Sequence, residues 1–194
     1  MKKLLYTLLA VSLIFSTCKK EDDTPTNNNN NNNSALAIGD THQGGIVFYL
    51  DGNGGGLIAA PIDQSIGAEW GCYGTAISGA DGTAIGTGAQ NTIDIVTANC
   101  SPDLAGNSIA ANICDTLTIG IYDDWFLPSK DELNEMYYNI GPGGGGNIGG
   151  FSSNDYWSST EYDGLMAELQ EFCCGSDPSG VKDDVNSVRA VRAF

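Results

Sequence analysis

The sequence predicts an α+β domain made of short helices, an antiparallel sheet and long Gly-rich loops. Three observations carry that expectation. A capping box at Ser129 opens an amphipathic helix, several β-branched and aromatic runs are bounded by turn residues, and 26 glycines are distributed among them. Residues 35–194 make a span suited to a single domain of ~100–200 residues.

Residues 1–17 read as a signal peptide. Lys2 and Lys3 form a basic start, Leu4 to Phe15 an apolar stretch, and Phe15-Ser16-Thr17-Cys18 a small-residue site ending in cysteine. This resembles a bacterial lipoprotein signal with a loose lipobox, which makes Cys18 the lipidated first residue of the mature chain. The apolar run is too short to span a bilayer comfortably. Lys19-Lys20-Glu21-Asp22-Asp23 resembles the charged tag that exports some lipoproteins to the cell-surface side of the outer membrane. The expected location is therefore the outer membrane, lipid-anchored and exposed at the surface. Thr24-Pro25-Thr26 and the run Asn27 to Asn33 carry nothing apolar to bury, so residues 18–34 are expected to be the lipidated cysteine and a disordered tether.

The folded part begins with Gly44 to Leu50, a β-branched and aromatic run. Asp51-Gly52-Asn53-Gly54-Gly55-Gly56 then turns the chain into Leu57 to Pro61, which predicts a β-hairpin. Asp51-x-Asn53-x-Gly55 echoes the start of a calcium loop, but Ile62 stands where the bidentate acid belongs, so a turn is the better reading. Trp70 to Gly88 sustains no period and reads as loop with short strands. Gly86-Thr87-Gly88 lacks the third glycine of a dinucleotide fingerprint. Asn91 or Thr92 is expected to cap a helix carrying Ile93, Val96 and Cys100. Asn107 or Ser108 is expected to cap a second with Ile109, Ile113 and Leu117.

The strongest local signal follows. Pro128 keeps Leu127 extended. Ser129 and Glu132 have the spacing of a capping box, and Leu133, Met136, Tyr137 and Ile140 fall at i, i+3, i+4 and i+7, one apolar stripe on a short helix. Lys130, Asp131, Asn134 and Glu135 take the wet side, and Gly141-Pro142 stops the helix. After the glycine run Gly143 to Gly150 come two expected strands, Tyr156 to Glu161 and Ala167 to Phe172. Val188 to Phe194 closes the chain. Arg189 and Arg192 cannot share a face of a regular strand, so at least one is expected to be buried and paired with an acid.

Charge narrows the partners. The chain has 24 acids against 8 bases and a formal net charge of −16, with no Lys or Arg between Lys20 and Lys130. Most of the domain cannot neutralise phosphates, so nucleic acid is excluded as a partner. Cations, neutral glycans and other proteins remain. The single imidazole, His42, reads as a solvated loop side chain and leaves a serine or cysteine triad without support. Cys72, Cys100, Cys114, Cys173 and Cys174 sit in an oxidising compartment on this reading. One or two disulfides are expected, drawn from Cys72, Cys100, Cys114 and one of Cys173 or Cys174, because adjacent cysteines rarely bridge each other. No C-x-x-C pair or His cluster points to a zinc site. Calcium stays open, since acids are plentiful at Asp155, Glu161, Asp163, Asp177, Asp183 and Asp184, although most read as solvated surface. Trp125 and Trp157 are expected in the core.

Four motifs occur in order: Gln43-Gly44-Gly45-Ile46-Val47-Phe48, Asp124-Trp125-Phe126-Leu127-Pro128-Ser129 with Glu132-Leu133, Tyr156-Trp157-Ser158-Ser159-Thr160, and Val188-Arg189-Ala190-Val191-Arg192. The set resembles the Lcl C-terminal domain family, named from a collagen-like bacterial adhesin, and spans nearly all of residues 35–194. The resemblance implies a divergent C-type-lectin-like fold, related to formylglycine-generating enzymes and to variable receptor-binding proteins. It also implies neighbouring N- and C-terminal strands and a ligand face built from loops near the C-terminal strands. Those loops would offer Asn154, Tyr156, Glu161, Tyr162, Asp163, Asp183, Asp184 and Asn186, the tyrosines for flat contact area and the others for hydrogen bonds. The functional expectation is a non-catalytic surface lipoprotein binding an extracellular glycan or protein. Its rivals are a structural envelope lipoprotein without a soluble ligand and an enzyme of the formylglycine-generating type, the latter needing a close, reactive cysteine pair.

Overall fold

The computed structural model of the protein describes residues 35–102 and 108–194. The expected signal peptide, Cys18, the tether and Asn107 lie outside these residues. In chain order the elements are β1 (Thr41–His42), β2 (Gly45–Leu50), β3 (Gly56–Ala59), β4 (Ser65–Glu69), α1 (Gly88–Ala98), α2 (Ala110–Asp115) and α3 (Lys130–Asn139). Then come β5 (Asp155–Glu161), β6 (Met166–Glu171), β7 (Ser179–Val181), β8 (Val185–Val188) and β9 (Val191–Ala193). The architecture is α+β, with short helices and two sheets that are mostly antiparallel. Among the described residues no helix is long and apolar enough to cross a membrane.

The first sheet has the order β1-β2-β3-β9. The expected hairpin forms, with Val47 opposite Ile58 and Ile46 opposite Ala59. Its turn closes on Asp51, whose Oδ1 accepts the N–H of Asn53 at 2.7 Å and of Gly55 at 3.0 Å. The carboxylate that echoed a calcium loop is thus engaged by the backbone. Gly45 is required by close approach, since a Cβ there would lie 2.6 Å from the Ala59 carbonyl oxygen. His42 lies in β1 rather than in a loop, its ring edge-on to Phe194 at 4.7 Å.

The second sheet has the order β4-β8-β5-β6-β7, and β5 and β8 run parallel with Tyr156 opposite Ser187. Its two edges approach each other at one end, where the N–H groups of Trp70 and Gly71, just past β4, reach the carbonyl of Lys182, just past β7, at 3.0 and 3.3 Å. Two buried indoles tie strands together, Trp70 Nε1 donating to the Ser158 carbonyl and Trp157 Nε1 to the Ala68 carbonyl, each at 2.8 Å. Alternation along the strands feeds two cores. Val47, Ile58, Trp70, Trp157 and Leu169 enter one, and Phe48, Leu57, Phe126, Leu133, Tyr156 and Phe172 the other.

The helix signals fare unevenly. At α3 the capping box is complete, with Ser129 Oγ accepting the Glu132 N–H at 3.3 Å and Glu132 Oε2 accepting the Ser129 N–H at 2.8 Å. Leu133, Met136, Tyr137 and Ile140 are all buried, as the stripe requires. Helix α1 begins earlier than expected, at Gly88 after Thr87. Asn91 and Thr92 are therefore not caps but buried helix residues with cross-chain duties: Asn91 Nδ2 donates to the Gly82 carbonyl at 2.7 Å, and Thr92 Oγ1 accepts the Leu127 N–H at 3.0 Å. Tertiary partners outweigh their preference for a helix end. Ile95 is buried in place of Ile93, which is half exposed. Helix α2 follows Ile109, not Ser108, and has no side-chain cap.

Strand β4 carried no clear sequence signal. The closing run splits, with β8 in the second sheet and β9 in the first. Arg189, between them, is buried and bonded to Asp63, with Nε to Oδ1 at 2.7 Å, while Nη1 donates to the carbonyls of Ala60 (2.9 Å) and Gly149 (3.0 Å). Arg192 pairs with Asp124 and bonds Gln43 Oε1 at 2.5 Å.

Among the described residues one disulfide forms, Cys72–Cys100, joining the loop after β4 to the end of α1 across a separation of 28 residues. Cys114 is free and buried, its thiol pushed up first by burial and then by Asp115. Cys173 and Cys174 are free and exposed.

Candidate functional site

The parallel pairing of β5 with β8 places the start of β5 beside the start of β8, although about thirty residues separate them in sequence. Where these strand ends meet, Ser153, Asn154, Asp155, Val185, Asn186 and Ser187 line an open cleft of about 430 Å³, with Ile66 of β4 at its edge. Asn154 Nδ2 donates to Ser187 Oγ at 3.3 Å across the junction. Two amides, two hydroxyls and one carboxylate thus face a space flanked by Ile66, 81% exposed, and Val185, 49% exposed. No Lys, Arg or His is in this lining. The Asp155 carboxyl is pushed up by partial burial and then by the Glu171 charge opposite it. Such a surface can exchange hydrogen bonds with hydroxyl or amide groups and offers nothing to an anion.

Two of the expected ligand residues, Asn154 and Asn186, meet in this cleft. Two others are committed to internal partners. Tyr156 is fully buried, its hydroxyl donating to Asp63 Oδ2 at 2.9 Å, so it lies in the core and presents no flat face. Glu161 closes a buried ion pair: Oε1 receives Lys182 Nζ at 2.5 Å, and both carboxylate oxygens accept the Ile77 N–H, at 2.8 and 3.0 Å. Lys182 also reaches the Thr75 carbonyl at 3.0 Å and lies over the Trp70 ring at 4.5 Å. This network fastens the long loop after β4 onto the sheet.

Tyr162 is exposed in the β5–β6 turn, where Asp163 Oδ1 accepts the N–H groups of Leu165 (2.7 Å) and Met166 (2.9 Å). Asp183 and Asp184 are exposed in the β7–β8 turn, which ends at the cleft residue Val185. Ile66, Ser153 and Ser187 escaped the sequence reading, whereas Asp155 and Val185 fall within the loop stretches near the C-terminal strands that it picked out. The exposure of Ile66 becomes meaningful only once β4 is placed.

The four ordered motifs converge on framework contacts rather than on the cleft. Gln43, Asp124 and Arg192, from three of them, form one hydrogen-bonded cluster. The Ser159 N–H reaches the Pro128 carbonyl at 2.7 Å, and Thr160 Oγ1 accepts the Lys130 N–H at 3.0 Å. Glu132 also accepts the Gly86 N–H at 2.8 Å; burial raises its carboxyl above the usual range, against the lowering effect of these backbone donors.

The exposed thiols at the end of β6 sit close together, with Cys173 Sγ donating to Cys174 Sγ at 3.0 Å and Cys174 Sγ to Glu171 Oε2 at 3.0 Å. The bond to Cys174, then desolvation and nearby negative charge, push the Cys173 thiol up to about 11. That is the reverse of an activated nucleophile. No protein-family model matches this chain, and a search of curated proteins finds no match.

Proposed function

We propose that the protein is a lipid-anchored surface protein whose domain binds an extracellular ligand without turnover, and that the ligand is a neutral glycan held in the cleft between β5 and β8. The observation that carries this reading is the cleft lining. Asn154, Asn186, Ser153 and Ser187 supply paired donors and acceptors, Asp155 a further acceptor, and Ile66 and Val185 the apolar edges on which a sugar ring can rest. The acidity of the chain disfavours anionic ligands and leaves neutral ones. The resemblance to the Lcl C-terminal domain family, and through it to C-type-lectin-like binding modules, supports the same reading, as does the lipoprotein-like start of the chain.

The test is a glycan-array and protein-binding screen with the full chain, followed by variants. Asn154→Ala and Asn186→Ala should each weaken binding of the captured ligand while leaving the melting temperature nearly unchanged. Binding that survives both changes but is lost when Asp51 and Asn53 are altered would put the ligand at the β2–β3 turn and overturn the assignment. Capture of proteins but no glycan would overturn the ligand class. For the anchor, Cys18→Ser should abolish detergent partitioning.

A further inference from the structure

We propose that Cys173, Cys174 and Glu171 form a binding site for a borderline-soft divalent cation of the zinc class. Their ligand atoms all lie within 4.8 Å of one another, and both the Cys173 Sγ–Cys174 Sγ and the Cys174 Sγ–Glu171 Oε2 separations are 3.0 Å. Zinc holds a thiolate at ~2.3 Å and a carboxylate oxygen at ~2.0–2.2 Å in tetrahedral geometry, which puts two sulfurs on one ion about 3.8 Å apart and sulfur and oxygen about 3.5 Å apart. Side-chain rotations that widen the two 3.0 Å pairs by less than ~1 Å bring them to that spacing, and the third pair, Cys173 with Glu171, already lies within 4.8 Å. A fourth position stays open toward solvent, since both cysteines are exposed.

The backbone holds the three donors together. The Glu171 carbonyl accepts the N–H of Gly175 at 2.8 Å and of Cys174 at 3.4 Å, folding the chain back so that the thiols stand beside the Glu171 carboxylate. Gly175 has φ 83°, and a Cβ there would come within 2.8 Å of the Tyr137 hydroxyl, so the reversal requires glycine. Between donors, Phe172 is buried against the rings of Tyr156 (4.4 Å), Phe151 (4.8 Å) and Tyr137 (5.3 Å), which pins the turn to the core. Asp155 is the cross-strand partner of Glu171, so a second carboxylate adds to the negative field that a divalent ion relieves.

Chelation suits this pair better than a bridge between the two sulfurs. Adjacent Cα atoms are ~3.8 Å apart across a trans peptide, short of the ~4.4–6.8 Å that disulfides usually span. A shared ion asks only that both sulfurs point the same way, which they do. The familiar C-x-x-C spacing is absent because the third donor comes from two residues upstream, carried round by the turn.

The experiment titrates the reduced full chain with Co²⁺ as a spectroscopic probe under anaerobic conditions, then with Zn²⁺ in competition. One Co²⁺ per chain with thiolate-to-cobalt charge-transfer absorption, bleached by Zn²⁺, is expected. Cys173→Ser and Cys174→Ser should each lose that absorption, and Glu171→Gln should need at least ~10-fold more metal, the loss typical of removing even a supporting partner. Cys114→Ser should leave it intact. No charge-transfer absorption, or absorption that persists when Cys173 and Cys174 are both serine, overturns the site. So does peptide mapping that finds a Cys173–Cys174 bridge forming in air despite saturating Zn²⁺, which would make the pair a redox couple. All the substituted side chains except Cys114 are wholly or partly exposed, and circular dichroism verifies that each variant folds.

Discussion

Glu161→Gln should destabilise the domain strongly through a pair invisible in sequence. The Lys182 side chain is 0% exposed and that of Glu161 7%, with Nζ and Oε1 2.5 Å apart. Neutralising Glu161 leaves the Lys182 ammonium buried, with the Thr75 carbonyl and the Trp70 ring as its remaining neighbours among these contacts. Breaking such a pair from one side typically costs ~3–5 kcal/mol. At a urea slope of about 2 kcal/mol per molar, this moves the unfolding midpoint down by about 2 M. Lys182→Met alone should cost a similar amount, since it strands the carboxylate. The double variant Glu161→Gln with Lys182→Met removes both charges and should recover ~1 kcal/mol or more relative to the sum of the single changes, because the unpaired-charge penalty disappears. Urea unfolding followed by tryptophan fluorescence suits the measurement, as Trp70 lies under the pair. Single changes that each cost less than ~0.5 kcal/mol, or strict additivity in the double variant, would refute the claim that the pair fastens the loop.

Helix α3 offers a paired comparison: Ser129→Ala should cost about 1 kcal/mol through loss of the cap, and Leu133→Ala ~2–5 kcal/mol through loss of a buried side chain. Equal losses in denaturant unfolding would mean that the helix is peripheral. For the cysteines, alkylation without reduction followed by mass spectrometry should find Cys72 and Cys100 joined, Cys173 and Cys174 labelled in the native state, and Cys114 labelled only after unfolding. Replacing both bridged cysteines by serine should cost ~3–4 kcal/mol, the chain-entropy value for a loop of this length.

Signals that act within one turn of chain were legible in the sequence. Ser129 and Glu132 are three residues apart, so their reciprocal bonds depend on local geometry alone, and the capping box forms as written. The β2–β3 hairpin needs only a glycine-rich turn between two β-branched runs, and it too forms. The closing Arg-x-x-Arg spacing required that the two arginines part, and they do, with the chain changing sheets between them.

What the tertiary structure alone decided is everything that hangs on pairings distant in sequence. Asn91 and Thr92 carry the chemistry of helix caps, yet partners in the Gly82 loop and at Leu127 draw them into the interior of α1. Tyr156 and Glu161 looked like ligand residues because aromatic and acidic side chains near turns often are, but Asp63 and Lys182, 93 and 21 residues away, claim them. The cleft exists because β5 pairs in parallel with β8, and the thiol cluster stands beside a second carboxylate because Asp155 falls opposite Glu171. Side-chain direction alternates with period two along a strand, so neither juxtaposition is defined until register is set, and register is a property of the assembled sheet.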